Sequence, residues 1–225
     1  MSHVEWRCEG GKRVMTSNGV PDHPAGRFPN PGNPNTIAEH PSQFSVPLAP
    51  QLRMAGARPV KVTGYAINGV KFDPGTAESC TQDCANKGRG GGGPWRIEAL
   101  NQTYFDFGVD ANNAHVQPDG SYHYHGVPEG LLKLVGKGKA MTLVGFAADG
   151  FPIYARFDLV DKKAPKGAVR AMNSSWRLRS TPAKGRPTAD VAPMGTFAQD
   201  YEYIEGSGDL DICNGRAGPT PEFPT

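Results

Sequence analysis

Apolar runs in this sequence are short, and turn residues cut each of them off. The strand-like stretches are "QFSVPL" (43–48), "VKVTGYAI" (60–67), "MTLVGFAA" (141–148), "SWRLRS" (175–180) and "QDYEYIE" (199–205). Gly, Pro, Asn, Asp and Ser bound them, which is how strands rather than helices are punctuated. A helical period is confined to "PEGLLKLVGKG" (128–138), which predicts one short helix. The expected fold is therefore an all-β, Gly/Pro-rich β-sandwich or barrel-like domain with long loops. Asn68-Gly69 and Asp149-Gly150 are the dipeptides that supply positive φ to two-residue hairpin turns. "NKGRGGGGPW" (86–95) is expected to be a flexible surface loop, because consecutive glycines bring no side chains to pack.

A length of 225 residues accommodates one large all-β domain or two small ones. Gly (29) and Pro (21) are abundant enough to suggest disorder, but three Trp, seven Tyr and ten Phe spread along the chain supply a core. The 24 basic and 22 acidic side chains are well mixed and form no basic stripe, which argues against nucleic acid as a partner. No apolar run is long enough to span a bilayer. No charged-then-apolar leader opens the chain, so any export signal is expected to have been removed or never to have existed. Four cysteines are compatible with two disulfides or with four thiols, and Cys80 and Cys84 are close enough to bridge one tight loop. The disulfide reading places the protein in an extracellular or periplasmic setting.

The chain also matches itself. "VTGYAINGVKF" (62–72) and "LVGFAADGFPI" (143–153) share Gly, aromatic, Ala, any residue, Asn or Asp, Gly. "DANNAHVQP" (110–118) matches "DICNGRAGP" (211–219) through Asp110 with Asp211, Asn113 with Asn214, and Pro118 with Pro219. The order suggests a single domain over residues 1–225 made of two degenerate pseudo-repeats, about 14–138 and 139–225, packed around a pseudo-twofold. The second copy has Arg216 where the first has His115, and Phe223 and Pro224 where the first has Tyr122 and His123.

Chemistry concentrates in "HVQPDGSYHYH" (115–125), which reads as two strands joined by a turn at Pro118, Asp119 and Gly120. If Gln117 faces Ser121, His115 falls directly opposite His123. Side chains alternate along a strand, so His125 shares the face of His123 while Tyr122 and Tyr124 point the other way. Three imidazoles then converge on one small volume. That is a three-histidine shell for one transition metal ion, copper or zinc, with a position left over. The bland alternative is a polar hairpin whose histidines are satisfied by water.

His23, in "NGVPDHPAG" (18–26), is a candidate fourth ligand or a loop histidine held by prolines. Asp110 and Asn113 are candidates to stand behind the ligands, with Asp110 accepting from the far nitrogen of His115. Equally, with Asn112, they stabilise a turn. His3 and His40 lie in polar sequence and are assigned no role.

Taken together, "GSYHYHG", "ANNAHVQP", "TSNGVPDHPAGRFPNPGNPN", "GYAINGVKFDPGTAE", "GFAADGFPIYA" and "GDLDICNGRAGPTPEFP" resemble the YHYH-domain family from about residue 14 to 224. The resemblance implies a secreted or surface protein and leaves the activity undefined. Similar proteins continue past "TPEFP" into a further aromatic strand and a final cysteine, so a closing strand after Thr225 is expected to be missing here. If that cysteine is the family partner of Cys213, then Cys8 is the remaining candidate. The segment "ESCTQDCANKGRGGGG" (78–93) departs from the aromatic stretch the resemblance leads one to expect.

Two functional readings follow. One is a metalloenzyme, using zinc to lower the pKa of bound water toward about 7, or copper for oxygen or electron chemistry. The other is a non-catalytic module that carries metal, or a surface binding or structural domain. No general base stands beside the histidines in sequence, since Asp119 lies in the turn and Glu129 beyond the strand. "GRGGGGP" lacks the Lys-Ser or Lys-Thr of a phosphate loop. Substrate and oligomeric state are left open.

Overall fold

The computed structural model describes every residue of the chain except 53–55, 57, 165 and 225. Its strands are β1 (Val4–Glu9), β2 (Lys12–Ser17), β3 (Ser42–Pro47), β4 (Gly64–Ala66), β5 (Lys71–Phe72), β6 (Ser79–Cys80), β7 (Trp95–Arg96), β8 (Ala114–Val116), β9 (Tyr122–Tyr124), β10 (Thr142–Ala147), β11 (Pro152–Ala155), β12 (Phe157–Leu159), β13 (Val169–Ala171), β14 (Trp176–Leu178) and β15 (Tyr201–Tyr203). The single α-helix among the described residues, α1, is Glu129–Val135. It ends where Gly136 takes a left-handed conformation and donates its N–H to Leu132 O. The all-β expectation holds, with several open sheets and no closed barrel among the described residues.

The turns explain the hairpins. Asn68-Gly69 and Asp149-Gly150 do close them, but as the last two residues of three-residue loops rather than as two-residue turns. Ala66 N–H donates to Val70 O and Gly69 N–H to Ala66 O; Ala147 pairs with Phe151 and Gly150 in the same way. Only the glycines are left-handed, at φ +81° and +96°, so each loop is a right-handed turn closed by a left-handed Gly. A two-residue turn occurs instead at Gly10-Gly11, both at positive φ, between Glu9 and Lys12.

Contacts divide the chain into two compact units. The first comprises residues 1–74, 108–171 and 219–225; the second comprises 75–107 and 172–218. In the first unit, six strands form a sheet in the order β11-β10-β4-β5-β9-β8, in which only β5 and β9 run parallel. The two Gly-aromatic-Ala copies are neighbours there and pair antiparallel, Gly64 with Ala147, Tyr65 with Phe146 and Ala66 with Gly145. A Cβ on Gly64 would meet Phe146 O at 2.4 Å, and one on Gly145 would meet Tyr65 O at 2.4 Å. Both copies therefore need glycine at the same point. The Asp-x-x-Asn copies adopt one loop conformation as well: Asn113 and Asn214 are left-handed, and each donates its N–H to the carbonyl of its own Asp.

One face of this sheet carries the row Phe146, Tyr65, Lys71, His123 and His115, read across β10, β4, β5, β9 and β8. The three-stranded sheet β1-β2-β3 packs on the β4/β10 end of that face, through Trp6 on Phe146 (5.3 Å between centroids) and Phe44 on Tyr65 (4.9 Å). The other face is the apolar core, where Phe72, Tyr122, Tyr124, Val116 and Val144 pack with Leu131 of α1.

In the second unit, Trp95 packs on Phe197 at 5.9 Å. Arg186 is fully buried beside Asp200, and all five of its guanidinium hydrogens are used. Its Nε and Nη2 donate to the Asp200 carboxylate, and the remaining bonds go to the carbonyls of Pro187, Ala192 and Pro193. Cys80 and Cys84 form the expected disulfide. The glycine loop beyond it is held more closely than a flexible loop would be: Gly93 lies so near Cys80 O that a Cβ would overlap it, and its N–H donates to Ser79 Oγ. Cys8 and Cys213 are exposed free thiols, so the second pairing does not form.

Candidate metal centre

The hairpin that carries the histidines is set by its loop. Gln117 N–H donates to Ser121 O at 3.0 Å and Gly120 N–H to Gln117 O at 2.9 Å, with Gly120 at φ +85°. Ser121 N–H also donates to Asp119 Oδ1, which fixes the corner. From that loop the register runs to His115 opposite His123 and Ala114 opposite Tyr124. Alternation then places His125 on the face of His123. The three rings stand edge to face, with centroids 4.6–4.7 Å apart. One ligand-type nitrogen from each lies within 4.8 Å of the others.

The second nitrogens decide the tautomers. His125 Nδ1 lies 3.2 Å from Pro74 O, and His123 Nδ1 lies 3.4 Å from Ser121 O. A carbonyl only accepts, so in both rings Nδ1 carries the proton and Nε2 keeps its lone pair. The Nε2 of His125 is buried and has no hydrogen-bond partner. Burial, then the neighbouring His125 and His115, lowers the pKa of His123 to about 2. Burial, then His115, lowers that of His125 to about 4. Both rings are therefore neutral bases at ordinary pH, the form that binds metal.

The tyrosines hold the opposite face. Tyr122 OH donates to Asp110 Oδ2 (2.7 Å) and Tyr124 OH to His23 Nε2 (2.6 Å). The His23 Nδ1 donates to Pro24 O, so its Nε2 is the acceptor, while Asn68 Nδ2 donates to the Tyr124 oxygen at 2.9 Å. Burial pushes both phenols above their ordinary pKa, and Asp110 adds to this at Tyr122.

The roles left open for His23, Asp110 and Asn113 are thereby decided against the metal and in favour of loop and turn. His23 is not a fourth ligand, because it lies against the tyrosine face and spends its accepting nitrogen on Tyr124. Asp110 orients Tyr122 rather than His115; its Oδ2 also accepts from Gly26 N–H and Asn112 Nδ2. Asn113 acts through its backbone and amide rather than on an imidazole. It is left-handed, its carbonyl accepts the His125 N–H at 2.7 Å, and its Nδ2 donates to Val127 O. His40 sits beside the turn, 3.2 Å from Asp119.

Sequence reading missed the neighbours that β5 brings to the histidine face. Lys71 pairs across the sheet with His123, and its Nζ donates to Gln117 Oε1 at 2.6 Å. Gln117 Nε2 in turn donates to the buried Asp73 carboxylate at 3.0 Å. Desolvation lowers the Lys71 pKa, and Asp119 and Asp73 act against that shift.

No curated protein and no solved structure matches the chain. A family model described as "YHYH protein" matches residues 43–225, a span that includes the histidine hairpin, both Gly-aromatic-Ala copies and the Asp-x-x-Asn loops. With most of its length and the hairpin of the candidate site inside that match, the chain belongs to the YHYH family.

Proposed function

We propose that this chain is an extracytoplasmic metalloprotein in which His115, His123 and His125 hold one transition metal ion, copper or zinc, and leave a position for a small ligand or substrate. The buried, unpartnered Nε2 of His125 carries the reading. A polar nitrogen buried without a partner is disfavoured unless something completes it, and two neighbouring imidazoles point where an ion would do so. The residues fit the group, since the Pro74 and Ser121 carbonyls hold the Nδ1 protons and leave both Nε2 lone pairs available before any ion arrives. Among the described residues no fourth His, Cys, Asp or Glu joins the cluster, which favours a three-ligand site with room for an exogenous group. When bound, such an ion supplies Lewis acidity or electron transfer. The Cys80–Cys84 disulfide supports an oxidising compartment, extracellular or periplasmic.

The test is elemental analysis of protein purified without chelators or immobilised metal. One ion per chain is expected in the wild type and in His3→Ala, with none retained tightly in His123→Ala. A His115→Ala/His123→Ala/His125→Ala protein that keeps its metal would overturn the assignment.

A further inference from the structure

Lys71 is a half-buried cation without an ion-pair contact among the described residues. Its one hydrogen-bond partner there is the neutral Gln117 Oε1, and Asp73 and Asp119 act on it only from a distance. Charges withdrawn from water are normally paired. Lys71 stands next to His123 in the same cross-sheet row, and its positive charge acts on that imidazole. Gln117 is placed by the loop that sets the histidine register, and Ser121 Oγ donates to the same oxygen at 3.0 Å. The Lys71 side chain is thus held from the hairpin itself, with ammonium hydrogens beyond the one that Gln117 accepts.

We propose that Lys71 is the anion-binding arm of this site, and that the ligand taken beside the three histidines is a carboxylate or similar monoanionic oxyanion. The proposal rests on the metal reading above and adds the class of ligand. The monoanion follows from the local charges. Two ammoniums, Lys71 and the exposed Lys61, are matched there by two carboxylates, Asp73 and Asp119, so a second negative charge on the ligand meets no surplus of positive charge. A phosphate dianion is usually met by several unopposed cations or an Arg fork, whereas here each ammonium is opposed by a carboxylate. One ligand oxygen would take the open position at the ion, and the ligand's charge would meet the Lys71 ammonium.

Copper(II)-loaded protein titrated with acetate, with imidazole as a neutral competitor for the same position, tests this through the ligand-field band. In Lys71→Met and Lys71→Gln, acetate affinity is expected to fall about tenfold or more, the scale of one charge-assisted hydrogen bond. Imidazole affinity and copper stoichiometry should not change, and Lys71→Arg should restore acetate binding to within a few-fold. Equal acetate affinity in wild type and Lys71→Gln would overturn the proposal. So would a parallel loss of imidazole binding, which would make Lys71 a support of the fold, and so would phosphate binding more tightly than acetate. A wild type that takes up no copper would instead overturn the metal reading beneath it.

Discussion

Acidifying the metal-free protein tests how the imidazoles are held. His123 is 1% exposed and His125 8%. Burial, reinforced by the neighbouring rings, brings their pKa values down to about 2 and about 4. In the unfolded chain both protonate near the ordinary value of about 6.5. Below that pH the unfolded state binds more protons than the folded state, so stability falls as pH falls. Above it the two states bind alike and the effect vanishes. For each ring the slope approaches roughly 1.4 kcal/mol per pH unit. Between pH 6.5 and 4.5 each ring therefore removes roughly 2 kcal/mol, and the pair about 4 kcal/mol. His125 acts on His123, so the loss summed over the pair is the quantity to measure. Urea denaturation followed by Trp fluorescence, with chelator present, gives the stability at both pH values. A His123→Gln/His125→Gln variant keeps every carboxylate and removes only this contribution, so the wild type should lose about 4 kcal/mol more than the variant across the window. Equal losses would refute the reasoning, because they would mean that the folded protein accepts these protons as readily as the unfolded chain does.

Tyr124→Phe should leave metal stoichiometry at one ion per chain and lower stability by about 1–3 kcal/mol in urea, because His23 Nε2 and Asn68 Nδ2 lose a shared partner in a buried site. Asp200→Asn should lower it by about 3–5 kcal/mol, because a fully buried Arg186 guanidinium is left without its counter-charge. A cost in that second variant no larger than that of an exposed ion pair would show that the pair is not desolvated.

What the sequence reveals here follows the distance over which information travels. The histidine hairpin is legible because a three-residue loop with Gly at its last position dictates the register, and the period of two then assigns each side chain to a face. The Gly-aromatic-Ala repeat is legible as a repeat, but its cause is not. Only the pairing of β4 with β10 shows that each glycine makes room for a carbonyl of the other copy. Lys71 and Asp73 stayed hidden because the parallel pairing of β5 with β9 is not local, and nothing near either strand in sequence announces it. The roles of His23 and Asp110 stay open in the sequence for a related reason. An imidazole or a carboxylate looks the same in sequence whether its neighbour is an ion or a phenol, and here the side of the sheet decides.

That division of sides is also what suits the hairpin to metal binding. In Tyr122–His123–Tyr124–His125 the alternation sends the phenols and the imidazoles to opposite faces of a strand flanked by β5 and β8. On one face Asp110, Asn112, His23 and Asn68 bind both phenols, so the backbone carrying the histidines is fixed by contacts that involve no ion. On the other face the carbonyls of Pro74 and Ser121 fix the His125 and His123 tautomers. Little conformational entropy is then left to lose when a ligand joins the three rings, which is the condition for a tight preformed site. Loosening the phenol face should therefore weaken metal affinity before it changes stoichiometry, since the ligands would remain but would have to be gathered.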